Sequence, residues 1–151
     1  MRQLTDEEFF QRPAPQINSV AIIVKHLAGN LRSRWTDFLT TDGEKPTRNR
    51  DDEFAITPAD TRASLLAAWE EGWKAVFQAV DGLVAADLEM AITIRGERQS
   101  VTQAILRGMT HAAYHVGQIM YLVRMLEPES TWLTIAPGKS GAHRPEYRKE
   151  V

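Results

Sequence analysis

An all-α four-helix bundle is the fold predicted for this chain, on three observations. Three segments repeat apolar residues three and four positions apart, as amphipathic helices do. A shorter capped segment precedes them, and a long polar connection, residues 42–58, separates the second segment from the third. A connection of this length lets the helices on either side run parallel. We expect one domain over residues 1–151.

A short first helix is predicted over residues 4–10. Thr5 can cap its N-terminus, acidic residues follow in the first turn where the helix dipole favours them, and Pro13 and Pro15 end the segment. It is either a short helix in its own right or the end of a longer one that begins before this chain.

The second helix is predicted to begin near Asn18 or Ser19 and to run to about Thr40. Gly43 and Pro46 lie just beyond and would end it. Its predicted apolar face contains residues 17, 20, 21, 24, 27, 28, 31, 35, 38 and 39.

The third helix is predicted from the cap Thr57 and from Pro58 in the first turn, and it should run to about Val80. The stripe predicted to be buried is Leu65, Leu66, Trp69, Trp73, Val76, Phe77 and Val80.

A β-hairpin or extended segment around Arg95 and Gly96 is predicted before the fourth helix. Ser100 forms a capping box with Gln103 at the start of that helix, which should stop before Pro128. The predicted apolar face contains residues 101, 104, 105, 109, 112, 116, 119, 123 and 126, and residues 127–151 form an irregular tail.

Composition and charge exclude several classes of function. Lys and Arg number 18 against 20 Asp and Glu, a net charge of −2 that offers no basic field for nucleic acid. No stretch is long and apolar enough to cross a membrane, and no secretion signal is apparent, so we expect a cytoplasmic protein. The chain has no cysteine, so any metal must be bound by His, Asp or Glu.

Two histidines one helical turn apart, His111 and His115, lie at the edge of the fourth helix's apolar face. This spacing lets two imidazoles bind one ion, although it also suits boundary histidines bonded to a carbonyl and a carboxylate. His26 is the candidate third ligand. The helical wheel places it opposite the main apolar stripe, but residues 20–24 are apolar on nearly all sides, which indicates burial on two sides. His143 is interpreted as a surface residue of the tail.

The segments NSVAIIVKHLAGNLRSRW, from Asn18, and THAAYHVGQIMYL, from Thr110, resemble the DinB-like, or YfiT-like, superfamily of metal-binding four-helix bundles. More narrowly, they resemble a bacterial branch with no assigned activity. The resemblance covers residues 16–135 and implies up-down-down-up helix order. It also implies one divalent ion, commonly nickel, zinc or iron, with water or substrate completing the shell and these ligands: His26, His111 and His115.

Superfamily members with known roles include bacillithiol transferases, a mycothiol-dependent maleylpyruvate isomerase and the thiol-binding domain of ergothioneine synthesis. Many are dimers. The short first helix departs from the family pattern, so a partner chain could cover the groove it leaves. A homodimer is therefore expected, and Tyr114 and Tyr121, which point away from the apolar face, are candidate interface residues.

The leading functional hypothesis is a metal-dependent transferase that acts on a small molecule, a low-molecular-weight thiol whose pKa the metal lowers. Guanidinium groups bind carboxylates in pairs of hydrogen bonds, which makes arginines candidates for substrate binding, unless they pair with acids of their own loop. The candidate substrate-binding residues are Arg34, Arg48, Arg50 and Gln118.

Two further hypotheses remain open. One is a metal-dependent hydrolase with water at the open metal position and Asp37 or Glu53 as the base. The other is a non-enzymatic module, which is either a ligand or metal sensor or a dimeric bundle whose histidines hold a structural ion. Turnover with a thiol acceptor would distinguish the transferase from the binding protein.

Overall fold

A computed structural model describes residues 1–131, 135–139 and 141. This part of the chain is mostly helical, with a small two-stranded sheet. Its helices are α1 (Asp6–Phe10), α2 (Val20–Trp35), α3 (Arg62–Asp81) and α4 (Val101–Leu126), its strands are β1 (Ala91–Ile94) and β2 (Glu97–Ser100), and short 3-10 helices span Asp51–Phe54 and Ala85–Glu89.

Helix α3 packs along α2 in the same direction. Leu65 near the start of α3 belongs to the buried cluster that contains Val20 near the start of α2. One helical stretch later, Gly72 approaches Leu31, where a Cβ on the glycine would lie 3.2 Å from the leucine Cβ. The polar connection therefore brings the chain back to the N-terminal end of α2, as its length predicts.

Helix α4 packs against α2 in the opposite direction. Its last turns join the buried cluster around the start of α2 through Ile119 and Leu122. Its first turns join a second cluster, which contains Val101 together with Leu31 and Trp35 from the end of α2. Helix α2 is therefore covered by α3 and by α4, which explains why few of its residues reach solvent.

The predicted end of α2 near Thr40 is wrong, because the helix ends at Trp35. Asp37 adopts a left-handed conformation, with φ of 49°, and its carbonyl accepts hydrogen bonds from the N–H groups of Thr40 and Thr41. Phe38 is nevertheless buried against the Trp35 ring, with the two ring centroids 4.8 Å apart. The apolar periodicity thus continues into a turn that has left the helix.

The predicted start of α3 at Thr57 is also wrong, because Thr61 is the N-cap. Thr57 instead opens a separate turn, in which the Asp60 carboxylate accepts hydrogen bonds from the Thr57 N–H and hydroxyl. Asp60 also pairs with Lys25 of α2 at 2.8 Å. Thr57 and Thr61 both have the geometry of a cap, and Thr61 is the one that begins the helix.

Two residues of the stripe predicted to be buried on α3 are exposed: Phe77 is 58% exposed and Val80 is 40% exposed. Helix α2 covers the side of α3 that carries Leu65 and Gly72. Phe77 and Val80 lie beyond this covered side. Met109 of α4 is likewise 63% exposed, whereas Trp35 packs against α4 at the neighbouring Gly108.

The predicted helix caps and the predicted hairpin turn are confirmed, whereas Ile17, predicted on the apolar face of α2, is 47% exposed. Thr5 caps α1 and Ser100 caps α4, each through a capping box. The hairpin turns at Arg95 and Gly96, with φ of 58° and 76°, which are the left-handed values a two-residue turn between strands requires. The Asp42 carboxylate accepts hydrogen bonds from both of these N–H groups, which ties the hairpin to the polar connection.

Helix α4 ends at Leu126, before Pro128, as predicted. The predicted tail lies partly outside the described residues, and so does His143. None of the helices in the described part of the chain has the length and apolar character needed to cross a lipid bilayer.

Candidate metal centre

His26 lies in the middle of α2 and is only 4% exposed. The preceding residues 20–24 are all buried, as their all-round apolar character predicts. The 3-10 helix Asp51–Phe54 covers the imidazole, with the Phe54 ring centroid 4.7 Å from that of His26. The ring is therefore held within the protein although it lies away from the main apolar stripe of its helix.

The three histidines predicted as metal ligands come together between α2 and α4. One ring nitrogen from each of His26, His111 and His115 can be chosen so that all three lie within 4.8 Å of one another. The His26 ring centroid is 5.4 Å from that of His111 and 4.9 Å from that of His115. These side chains are close enough together to hold one metal ion.

Glu53 fixes which nitrogen of His26 is available to a ligand. His26 Nδ1 lies 2.9 Å from Glu53 Oε2. An ionised carboxylate can only accept a hydrogen bond, so Nδ1 carries a proton, and in the neutral ring Nε2 is then the nitrogen with the lone pair. Carboxylates that hold metal-binding histidines in this way orient the ring and increase its basicity.

The Nε2 atoms of His111 and His115 have the separation expected of two ligands on a common ion. His115 Nδ1 lies 2.9 Å from Gln118 Oε1, which accepts a hydrogen bond from the Nδ1–H group and leaves Nε2 of the neutral ring free. That Nε2 lies 3.2 Å from His111 Nε2. Two nitrogens bound tetrahedrally at 2.0–2.1 Å would be about 3.3 Å apart. The donor set therefore fits a late transition metal such as zinc, nickel or iron.

The environment keeps the histidines of α4 neutral near pH 7. Burial lowers the pKa of His111 to about 4, and the neighbouring His115 and His26 act in the same direction. Burial also lowers the pKa of His115, although its hydrogen bond with Gln118 opposes the shift. Neutral imidazole is the form that binds metals, so both rings are in the required state.

Arg48 holds Glu53 in place from the other side. Its Nε and Nη2 donate to the two carboxylate oxygens of Glu53, each at 2.8 Å, and the Arg48 side chain is 5% exposed. Burial alone would raise the pKa of Glu53, but the hydrogen bonds from Arg48 and His26 lower it below its ordinary value. Glu53 is therefore ionised, as its role towards His26 requires.

Gly29 makes room for this arrangement on α2. A Cβ at that position would lie 2.8 Å from the Glu53 carboxyl carbon and would collide with a carboxylate oxygen. The absence of a side chain at Gly29 lets the crossover carboxylate approach the helix one turn after His26. His26 and Gly29, which both border the Glu53 carboxylate, thus belong to the same short stretch of α2.

The candidate substrate residues fall into two groups. Arg34, Arg48 and Arg50 line a cavity of about 640 Å³ that His26 also lines, whereas Gln118 is bonded to His115. Arg34 pairs with Glu44 at 3.0 Å, and Arg48 pairs with Glu44 and Glu53. These ion pairs agree with the alternative interpretation, in which the arginines pair with acids of the protein itself.

The two carboxylates considered as bases also differ in position. Glu53 reaches the histidines, but its oxygens accept hydrogen bonds from His26 and Arg48. Asp37 is exposed in the turn that follows α2. Neither arrangement presents a free carboxylate that is directed at the metal position.

Sequence reasoning missed the orienting role of Glu53 and the presence of Arg95 and Arg107 at the cavity. The only signal for Glu53 was an acidic run in a connection long enough to border a site. No spacing rule relates Arg95 in the hairpin turn or Arg107 in α4 to residues of α2.

Comparison with known proteins supports one assignment. No curated protein matches the chain significantly. Residues 1–139 match a family described as "Protein of unknown function (DUF1572)", and this match covers most of the chain. The chain, with its three clustered histidines, therefore belongs to the DUF1572 family.

Proposed function

We propose that the chain is a divalent-metal-binding protein of the DinB-like, or YfiT-like, superfamily, folded as one four-helix bundle domain of up-down-down-up order. His26, His111 and His115 hold the ion, which is nickel, zinc or iron. The observation that carries this proposal is the convergence of three imidazoles whose nitrogens lie within 4.8 Å of one another. The hydrogen bonds of Glu53 and Gln118 support it, because they leave one nitrogen lone pair free on each partner histidine.

The reaction that we propose is transfer of a low-molecular-weight thiol to an electrophilic acceptor. A metal with an open coordination position would supply Lewis acidity that favours the thiolate form of a bound thiol. The protein's residues bind and orient: Glu53 holds His26, and the arginine-lined cavity beside His26 can receive an anionic substrate. A hydrolase has less support, because Glu53 is already engaged by His26 and Arg48.

Metal content tests the first part of this proposal. Protein made without a histidine tag should contain, natively or after reconstitution, close to one equivalent of metal by elemental analysis. His26→Ala and His115→Ala should each lose most of it, because two imidazoles remain, while His143→Ala should retain it. An unmetallated native chain, or His26→Ala with unchanged metal content, would contradict the three-histidine site.

Turnover tests the second part separately. The metal-loaded protein is incubated with low-molecular-weight thiols and electrophilic acceptors, and loss of free thiol is followed with and without protein. Acceleration that disappears in His115→Ala would support the transferase. A metal-loaded protein that accelerates none of these reactions would contradict the transferase and leave a metal-binding protein.

A further inference from the structure

The cavity beside the histidines combines an apolar wall with a strongly cationic one. Trp35, Phe38 and Ile94 provide the apolar part, while His26 and His111 form its border with the metal centre. Its volume of about 640 Å³ lies within the range of pockets that bind small molecules. The cavity is therefore large enough to hold an organic ligand next to the histidines.

The charge of this cavity is not balanced by the protein. Five arginines line it, and no Asp or Glu does so within the part of the chain that the structure describes. Glu44 is shared by three of these arginines, at N···O distances of 3.0 Å from Arg34, 3.2 Å from Arg48 and 3.3 Å from Arg95. Positive charge consequently exceeds negative charge around the cavity.

The two other carboxylates that pair with these arginines do not remove the excess. Glu53 is engaged by Arg48 and His26. Asp51 lies 3.9 Å from Arg50, and both of these side chains are largely exposed, so the pair contributes little. Arg34 and Arg95 share the Glu44 carboxylate with Arg48, and Arg107 forms no salt bridge with any acid among the described residues.

Arg34 is the arginine most in need of a further partner. Its side chain is only 12% exposed, and its buried Nη1 has no hydrogen-bond partner among the described residues. Burial lowers the pKa of Arg34; Glu44 opposes the shift, while the charges of Arg48, Arg107 and Arg95 add to it. A desolvated donor without a partner is costly, so an anion that entered the cavity would stabilise this group.

We propose that the cavity binds a small organic anion, whose carboxylate or phosphate oxygens are held by Arg34, Arg107 and Arg95 and whose apolar part contacts Trp35 and Phe38. The remainder of the ligand then lies beside His26 and His111. This inference rests on the proposed function and names its substrate class: the molecule brought to the metal centre is an oxyanion-bearing one. Arg48 is a positioning residue for Glu53 in this scheme.

Calorimetric titration of the metal-free protein at low ionic strength tests the inference. The probes are succinate for carboxylates and inorganic phosphate for phosphates, with neutral succinamide as the control ligand. We expect saturable binding of one equivalent of at least one anion and none of succinamide. Arg34→Gln and Arg107→Gln should each weaken that binding at least tenfold. Arg98→Gln, which removes an exposed arginine of β2 outside the cavity, should leave it unchanged.

The outcomes separate this inference from the metal proposal. Absence of saturable anion binding, or equal binding by the native chain and the Arg107→Gln variant, overturns the anion site even where metal is bound. Arg107 is exposed, so its substitution keeps the test valid if Arg34→Gln fails to fold by circular dichroism. Anion binding by a chain that takes up no metal would support the anion site and refute the metal centre alone.

Discussion

The carboxylate of Glu53 fixes the orientation of the buried His26 ring. Glu53 Oε2 accepts a hydrogen bond from the Nδ1–H group of His26, and both Glu53 oxygens accept hydrogen bonds from the guanidinium of Arg48. Because the carboxylate is ionised and accepts only, it fixes both the tautomer and the rotation of the ring. The orientation of the His26 ring therefore depends on a residue 27 positions away along the chain.

Glu53→Gln is expected to weaken metal binding by about 10- to 100-fold, the usual effect of losing a partner that orients a ligand. The amide is neutral, so it loses the ion pair with Arg48 and no longer favours one His26 tautomer. Competition with a chromophoric chelator measures the affinity. Asp51→Asn, a change in the same 3-10 helix at a side chain that is 95% exposed, is the matched control. Equal affinities in the two variants would refute the orienting role.

The hairpin shows how one element is attached to another through a single side chain. Asp42 lies in the polar connection and accepts hydrogen bonds from the backbone N–H groups of Glu44, Arg95 and Gly96 at 2.7–2.9 Å. These bonds hold the pKa of Asp42 well below its ordinary value. They also position Arg95 at the mouth of the cavity, because its backbone is held by the same carboxylate.

Asp42→Asn is expected to destabilise the protein by about 1–2 kcal/mol at pH 7, since hydrogen bonds to a charged acceptor become bonds to a neutral one. The folded pKa is lower than the unfolded value of about 3.9, so the unfolded chain binds more protons on acidification. This contribution to stability is complete above that pH and is lost as the pH falls further.

Urea unfolding of the native chain and Asp42→Asn at pH 7, 5, 4 and 3 measures the effect. The difference in unfolding free energy between the two proteins should be constant from pH 7 to 5 and should shrink towards pH 3. A difference that is as large at pH 3 as at pH 7 would show that the Asp42 charge does not stabilise the hairpin.

The surface of the molecule as a whole carries an apolar stripe on α4. Tyr114, Tyr121 and Met125 are 61%, 73% and 45% exposed and recur at helical spacing on one side, beside a groove that Ile17 also lines. Matching stripes on two copies can pack against each other about a twofold axis. The homodimer predicted from the sequence remains a proposal, and this stripe is the surface that we expect to form it.

Tyr121→Glu should shift the protein from dimer to monomer, because it places a charge within the proposed interface. The molar mass measured by light scattering, over a range of concentrations, distinguishes the two states. Val84→Glu introduces the same charge at a site that is 62% exposed on a different part of the surface, and this variant should remain dimeric. A native chain that is monomeric at all concentrations would refute the proposal.

Local signals predicted much of the helical fold. The caps at Thr5 and Ser100 and the hairpin turn at Gly96 depend on residues within a few positions of one another, and all three were predicted correctly. The end of α2 and the start of α3 were not. Phe38 continues the apolar spacing outside a helix, and Thr57 makes a cap-like turn, so the pattern in each case resembles that of a helix that is absent.

The candidate site was likewise predicted only in part from local patterns in the sequence. The spacing of His111 and His115 predicted two ligands, and His26 was the candidate third ligand that the family resemblance then matched; the structure brings these three residues together. The bond from His26 to Glu53 and the sharing of Glu44 with Arg95 depend on how the polar connection and the hairpin pack on α2. Interactions within one helical turn depend on residues that are close in the sequence, so the sequence alone can predict them. Contacts between distant parts of the chain arise only when the packed elements bring those side chains together.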